Sequence, residues 1–341
     1  MTVIDDKNAV RATVTIRNPF TVEDLPFLGQ LYVFAYRKRR RGLSKRMAKP
    51  VRKLFNVLVT LGAKGLGRVC VQTADGPRSV TFDARNTQYS ALYMPDYRPV
   101  YETETSVLLD RLIGDNDVFF DIGANWGWYS VYIATRPSFR GVIHAFEPLP
   151  STSADLRSFV KQAGLDNRIA CHDIAVSVTD GKAHISLPDG IHSGLASLNQ
   201  SHGTEVRVAR LDSLDLPAPN VIKIDVEGSE MDVLLGAEQV IKKARPYLVM
   251  ESWANSSDPE TTLAPLHKLV QYGYDLFYPG WTKENPDQIH YEPGRFYPDS
   301  SCKLTLMPFL PAHRFQLGQM MNIIAVSHGR LEEFRKRFEH N

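Results

Sequence analysis

A chain of 341 residues can bury a large core, and its length allows about two domains. With 43% hydrophobic and 23% charged residues it has the composition of a globular protein. A net charge of +2 advertises no polyanionic partner for the molecule as a whole, Cys70, Cys171 and Cys302 form neither a disulfide framework nor a zinc site, and no apolar run approaches the roughly 20 residues of a membrane span.

The first residues, Met1 to Asp6, have no basic region leading into an apolar core, which predicts a cytoplasmic protein without a secretory signal. Residues 1 to 20 carry no clear pattern. Phe27 to Tyr36 is apolar and aromatic, and a basic segment from Arg37 to Lys53 follows before Leu54 to Val59. Basic residues between apolar stretches suit three settings: an anionic membrane surface, nucleic acid, or a solvated basic helix. No recognisable nucleic-acid module surrounds them, so no specific nucleic acid is expected. Arg68 to Phe82 reads as a hairpin turning at Asp75-Gly76. A helix with Val107, Leu108 and Leu112 ends before Gly114. Residues 1–100 are therefore expected to form an accessory region, and 101–341 the catalytic domain.

Val118 to Ser130 is the segment that points to chemistry. An apolar strand ends in Asp121 and Ile122, turns through Gly123-Ala124-Asn125-Trp126-Gly127, and enters a second apolar run. That is the first half of a nucleotide-binding βα unit, with Gly123 and Gly127 allowing close approach of a ligand. A dinucleotide fingerprint needs a second glycine where Asn125 stands, and Asp121 would repel a pyrophosphate. A carboxylate at Asp121 suits a cationic ligand instead, such as the amino group of S-adenosylmethionine. Val142 to Phe146 is the next strand and ends in Glu147, placed to accept hydrogen bonds from ribose hydroxyls.

Leu156, Phe159, Val160 and Ala163 make one buried helical face that stops at Gly164, and a third strand runs from Arg168 to His172. Val176 to Leu187 alternates around Thr179-Asp180-Gly181, a second hairpin signal. Val221 to Ile224 is another strand, followed by Asp225-Val226-Glu227-Gly228 and a capping box at Ser229 and Asp232. Asp225 and Glu227, two apart in an extended segment, face one side. Tyr247 to Met250 is the fifth strand and ends in Glu251. Residues 279–321 read as about forty irregular, aromatic-rich residues, an acceptor lid inserted before the last strand, Asn322 to Val326.

The blocks Asp121-Ile122-Gly123-Ala124-Asn125-Trp126-Gly127, Phe146-Glu147-Pro148 and Ile224-Asp225-Val226-Glu227-Gly228-Ser229-Glu230, in this order and spacing, resemble the FkbM family of S-adenosylmethionine-dependent methyltransferases. The resemblance covers roughly residues 100 to 278 and the last strand. It implies an α/β Rossmann-like class I methyltransferase fold, with a seven-stranded, mostly parallel sheet and an antiparallel last strand. It implies S-adenosylmethionine as donor, held by Asp121, Gly123, Asn125, Gly127 and Glu147, with Asp173 at the adenine amine. It also implies a hydroxyl acceptor on a sugar, glycolipid or other glycoconjugate. Proton acceptors at such a site are Asp225, Glu227 or His192, the last in a Ser/Gly-rich loop like one on the family's acceptor side. The other route to an activated hydroxyl is a magnesium ion on Asp225 and Glu251. Rival functions are methylation of RNA or another polyanion, and a non-catalytic nucleoside-binding adaptor. The location implied is cytoplasmic or peripheral at an anionic membrane.

Overall fold

The computed structural model describes residues 9–37, 43–186, 197–199, 203–283, 289–290 and 298–339. The amino-terminal part contains β1 (Val10–Thr13), β2 (Phe20–Asp24), α1 (Phe27–Tyr36), α2 (Leu43–Thr60), β3 (Leu66–Thr73), β4 (Gly76–Asp83) and α3 (Ser90–Tyr93). Next come α4 (Thr103–Leu112), β5 (Val118–Ile122), α5 (Trp128–Ala134), β6 (Val142–Phe146), α6 (Pro150–Gln162) and β7 (Ile169–His172). The middle holds β8 (Ala175–Val176), β9 (Gly181–Ser186), β10 (Ser197–Asn199), β11 (Thr204–Ala209), β12 (Val221–Ile224), α7 (Glu230–Gly236) and α8 (Glu238–Ala244). The chain closes with β13 (Tyr247–Trp253), α9 (Pro259–Gln271), β14 (Tyr274–Thr282), β15 (Lys303–Phe309), β16 (Met320–Ser327) and α10 (Leu331–Glu339).

The main sheet has nine strands, in the order β1-β15-β14-β16-β13-β12-β5-β6-β7. Its seven strands from β14 to β7 are the expected class I arrangement: β16 runs antiparallel between β13 and β14, while β13, β12, β5, β6 and β7 pair in parallel. Two antiparallel strands extend the edge, so the expected count of seven becomes nine. The central strands read as near-continuous apolar runs because helices cover both faces. Phe119 packs with Val131 and Leu156 on one face, and Phe120 and Ile122 pack with Leu234 and Ile241 on the other.

Two expectations are corrected here. The stretch read as irregular between residues 279 and 321 contains β15, and β14 continues to Thr282. Pro308 lies in β15 opposite Phe277 of β14, beyond the Lys303–Leu306 stretch that pairs with β1. Trp281, assigned to the lid, is a buried strand residue. The hairpin expected within residues 176–187 does not form either: β11 lies between β8 and β9 and pairs with both. The hairpin at Asp75-Gly76 is β3–β4, and the Thr81 backbone N–H donates to the side-chain carbonyl of Gln162 on α6 at 2.9 Å.

Chain order reverses on the two sides of β5: β6 follows to one side and β12 to the other. A crevice opens at the carboxyl ends of strands at such a switch point. Everything that follows is built there.

Candidate active site

A cleft of about 390 Å³ lies over the ends of β5, β6, β12 and β13. Its floor is the turn after β5. Gly123, Asn125 and Gly127 all have positive φ, at 81°, 52° and 96°. A Cβ at Gly123 would lie 1.8 Å from the Asp225 carbonyl oxygen, and one at Gly127 would meet Leu156 at 2.5 Å. Glycine at both positions lets the turn sit tight against β12 and α6, leaving the cleft above it open. Trp126 is buried beneath and donates its indole N–H to the Gln88 carbonyl at 3.1 Å.

Glu147 lines the cleft at the end of β6. Its two carboxylate oxygens accept the backbone N–H groups of Asn125 at 3.0 Å and Leu149 at 2.8 Å. Each oxygen keeps a further lone pair for a ligand hydroxyl. Burial pushes this carboxyl up to about 7, against the pull of those two N–H groups. The opposite wall is apolar, formed by Ile174, Ala175 and Val176.

Two of the residues expected to hold the donor are not on the cleft lining. Asp121 is fully buried behind the turn and does not line the cleft; its carboxylate accepts the Ser130 backbone N–H at 3.2 Å and hydroxyl at 2.7 Å. It anchors the start of α5. Asp173 is likewise off the lining: it accepts from Ser153 and forms an ion pair with Arg157 at 2.8 Å. Those partners outweigh the cost of its partial burial and hold it below the usual carboxylate range. His192 lies outside the described residues.

The acceptor side of the cleft is unusually acidic. Asp225, Glu227 and Glu251 bring one oxygen each within 4.8 Å of the others. These are hard donors, close enough to share one divalent ion. Lys223, one of the most buried residues of β12, already reaches into the group: its Nζ lies 2.7 Å from Asp225 and 4.6 Å from the Tyr129 ring centre. Burial alone would pull Lys223 down, but Asp225, Asp121 and Glu102 hold it above its ordinary value. Glu227 adopts a left-handed conformation, φ 50°, and burial followed by the charges of Asp225 and Glu230 pushes its carboxyl up to about 8. Burial, then Asp225 and Glu227, pushes Glu251 up to about 10.

Sequence reasoning missed Glu102, Glu104 and Lys223. Glu102 accepts the Tyr129 hydroxyl at 2.6 Å and the Asn322 amide at 2.9 Å, and its carboxyl is raised by burial and then by Asp225. Glu104 is pushed up to about 7 by burial. Of the residues lining the cleft, seven are acidic and two, Arg98 and Lys223, are basic. One signal was present in the sequence: a lysine inside the apolar run Val221-Ile222-Lys223-Ile224 is a buried charge in want of a partner.

The model of the methyltransferase FkbM domain matches residues 121–276, which hold the glycine turn, Glu147 and Asp225 to Glu227. Residues 121–276 are thus similar to the FkbM methyltransferase domain. The chain is 25% identical over 155 residues to the hexuronic acid methyltransferase AglP of Haloferax volcanii, a match covering 43% of this chain and 61% of that protein. A methyltransferase FkbM from Methylobacillus flagellatus is similar at 19% identity and a TM-score of 0.37, over 58% of this chain and 44% of that one. An S-adenosylmethionine-dependent O-methyltransferase from Thermotoga maritima is similar at 12% identity and a TM-score of 0.36, over 76% and 81%. The matched segment is a methyltransferase domain, for which S-adenosylmethionine is the expected donor. The open turn at Gly123 and the free lone pairs of Glu147 fit a nucleoside donor of that kind.

Proposed function

We propose that this FkbM methyltransferase methylates a hydroxyl of an uncharged or amino sugar, free or in a glycoconjugate. One observation carries this reading: Asp225, Glu227 and Glu251 converge within 4.8 Å at strand ends next to the donor turn. Sugar hydroxyls are good donors to such carboxylates, and Trp253, partly exposed at the rim, offers a face for a sugar ring. AglP methylates a hexuronic acid by its name. The described lining, with seven acids and two bases of which Lys223 is already paired with Asp225, offers an anionic acceptor little positive charge to pair with, so a neutral sugar suits it better than a uronate or RNA.

Bound over the turn, S-adenosylmethionine supplies an electrophilic methyl group whose carbon–sulfur bond breaks onto sulfur. The protein's share is positioning and proton transfer. Asp225, fixed by Lys223 at 2.7 Å, orients the acceptor hydroxyl, and Glu227 takes its proton as the new carbon–oxygen bond forms. A carboxyl at about 8 is well matched to that work near neutral pH. Lys223 supplies positive charge beside the trio, which favours proton transfer to Glu227 over a magnesium ion held by Asp225 and Glu251.

The experiment is transfer of labelled methyl from the donor to neutral glycans, uronic-acid glycans and RNA side by side. Label on the neutral or amino glycans supports the reading, and label confined to RNA or to uronates overturns it.

A further inference from the structure

We infer that α2 is a docking site for an anionic lipid bilayer, lying flat on it. This holds independently of which acceptor the cleft takes. Helix α2 has three stripes. Ala48 and Phe55 are buried, with Val51 and Leu58 half-buried beside them, and this face packs on α1. Met47, Leu54 and Val57, continued by Leu61 just past the helix end, recur at helical spacing yet are 44%, 46%, 53% and 76% exposed. Arg46, Lys49 and Lys53 form a third, exposed basic stripe beside them. The helix thus has one apolar face more than its own fold uses.

The exposure is regional. Of the twelve large apolar side chains exposed among the described residues, seven fall between Phe27 and Leu66. The charge is regional too: the sequence has no Asp or Glu between Asp24 and Asp75, while it carries twelve Lys or Arg there. Exposed apolar side chains interleaved with cations, and no anion nearby, match the headgroup and acyl boundary of an anionic membrane. A second copy of the chain in that place would set basic stripe against basic stripe. Nucleic acid would leave the apolar stripe uncovered. Among the described residues no helix is long and apolar enough to cross a membrane, which accords with a helix lying in the surface plane.

Arg52 fixes the presentation. Its Nε donates to the Ala35 carbonyl at 2.9 Å and its guanidinium lies 4.7 Å from the Tyr36 ring centre, tying α2 to α1. Helix α1 in turn packs on α3, whose Ala91 lines the cleft. Helices α1 and α3 thus link the docking face to the cleft.

The test is flotation of the full chain with vesicles of phosphatidylcholine alone or mixed with phosphatidylserine. Binding should require the anionic lipid and weaken as salt rises from about 0.1 M to about 1 M, where the Debye length falls from about 10 to about 3 Å. Met47→Ser/Leu54→Ser/Val57→Ser and, separately, Lys49→Glu/Lys53→Glu should each weaken it at least about tenfold, with unchanged melting temperature and donor binding. Equal binding to both vesicles, no binding to either, or a native dimer that the serine variant converts to monomer would overturn the inference.

Discussion

Gly123 and Asp225 touch so closely that a Cβ added at residue 123 would stand 1.8 Å from the Asp225 carbonyl oxygen. Two segments a hundred residues apart are thereby joined: the donor turn after β5 and the acid cluster after β12. In the proposed mechanism this contact sets the distance between the methyl donor and the group that activates its acceptor.

Gly123→Ala should therefore separate donor from acceptor chemistry at a cost beyond backbone strain. Gly228 is the control, since it also has a positive φ, 95°, but nothing within 4 Å of an added Cβ. Gly228→Ala should cost about 1–2 kcal/mol from left-handed strain alone. Gly123→Ala should lower stability further and weaken donor binding more than tenfold, read by thermal melting and calorimetric titration. Equal effects of the two variants would contradict the contact's role.

Glu147→Ala should weaken S-adenosylmethionine binding by about 1–3 kcal/mol, the range for hydrogen bonds to a charged group. The loss has two parts, because Asn125 and Leu149 also lose the acceptor for their N–H groups. Nicotinamide dinucleotides should not stabilise the native chain in the same melting assay. A matching rise in melting temperature with them would count against the donor assignment.

The crowded acids make stability depend on pH with a defined sign. Glu147 and Glu104 are raised to about 7, Glu227 to about 8 and Glu251 to about 10, whereas glutamates of the unfolded chain titrate at about 4.3. The folded state then holds more protons than the unfolded one between those limits, so their contribution is full below about pH 4 and is lost as pH rises through 7 to 10. The melting temperature of the donor-free protein should fall from about pH 5.5 to about pH 9, and Glu251→Gln should flatten that slope. A native melting temperature that rises across the window, or an unchanged slope in the variant, would refute the assignment.

Much of the frame was legible before any coordinates. Val118 to Gly127, Val142 to Glu147 and Val221 to Gly228 announce themselves because parallel strands buried on both faces are nearly unbroken apolar runs, and acids at their ends stand out. The local pattern did not show which way Asp121 faces: it turns inward to Ser130, while the cleft is lined by residues that follow it. Glu102 was invisible for another reason. Its partners, Tyr129 and Asn322, lie 27 and 220 residues away, and no local pattern marks a carboxylate whose role is set by tertiary contacts. Strand β15 was not legible within a stretch read as irregular, because its pairing with β14 and β1 is a tertiary matter, and which residues of α2 stay exposed could not be read before their burial was known.

The two routes to an activated hydroxyl make opposite forecasts for chelation. With Glu227 as base, activity should survive exhaustive removal of divalent ions, and added magnesium should change nothing. Glu251→Gln should then have a smaller effect than Glu227→Gln. Activity abolished by chelation and restored by magnesium, with Glu227→Gln nearly unaffected, would instead place an ion on Asp225 and Glu251.

The most direct measurement is turnover of the native chain and of Glu227→Gln on a neutral glycan with methyl-labelled donor across pH, with the product located by NMR. The account predicts a methyl ether on a sugar oxygen, a rate in the native protein that rises towards about pH 8 as Glu227 loses its proton, and a kcat about 10²–10⁴-fold lower in the variant with donor affinity retained. Label on a carboxyl or on nitrogen, or a variant that turns over like the native protein with the same pH profile, would contradict it.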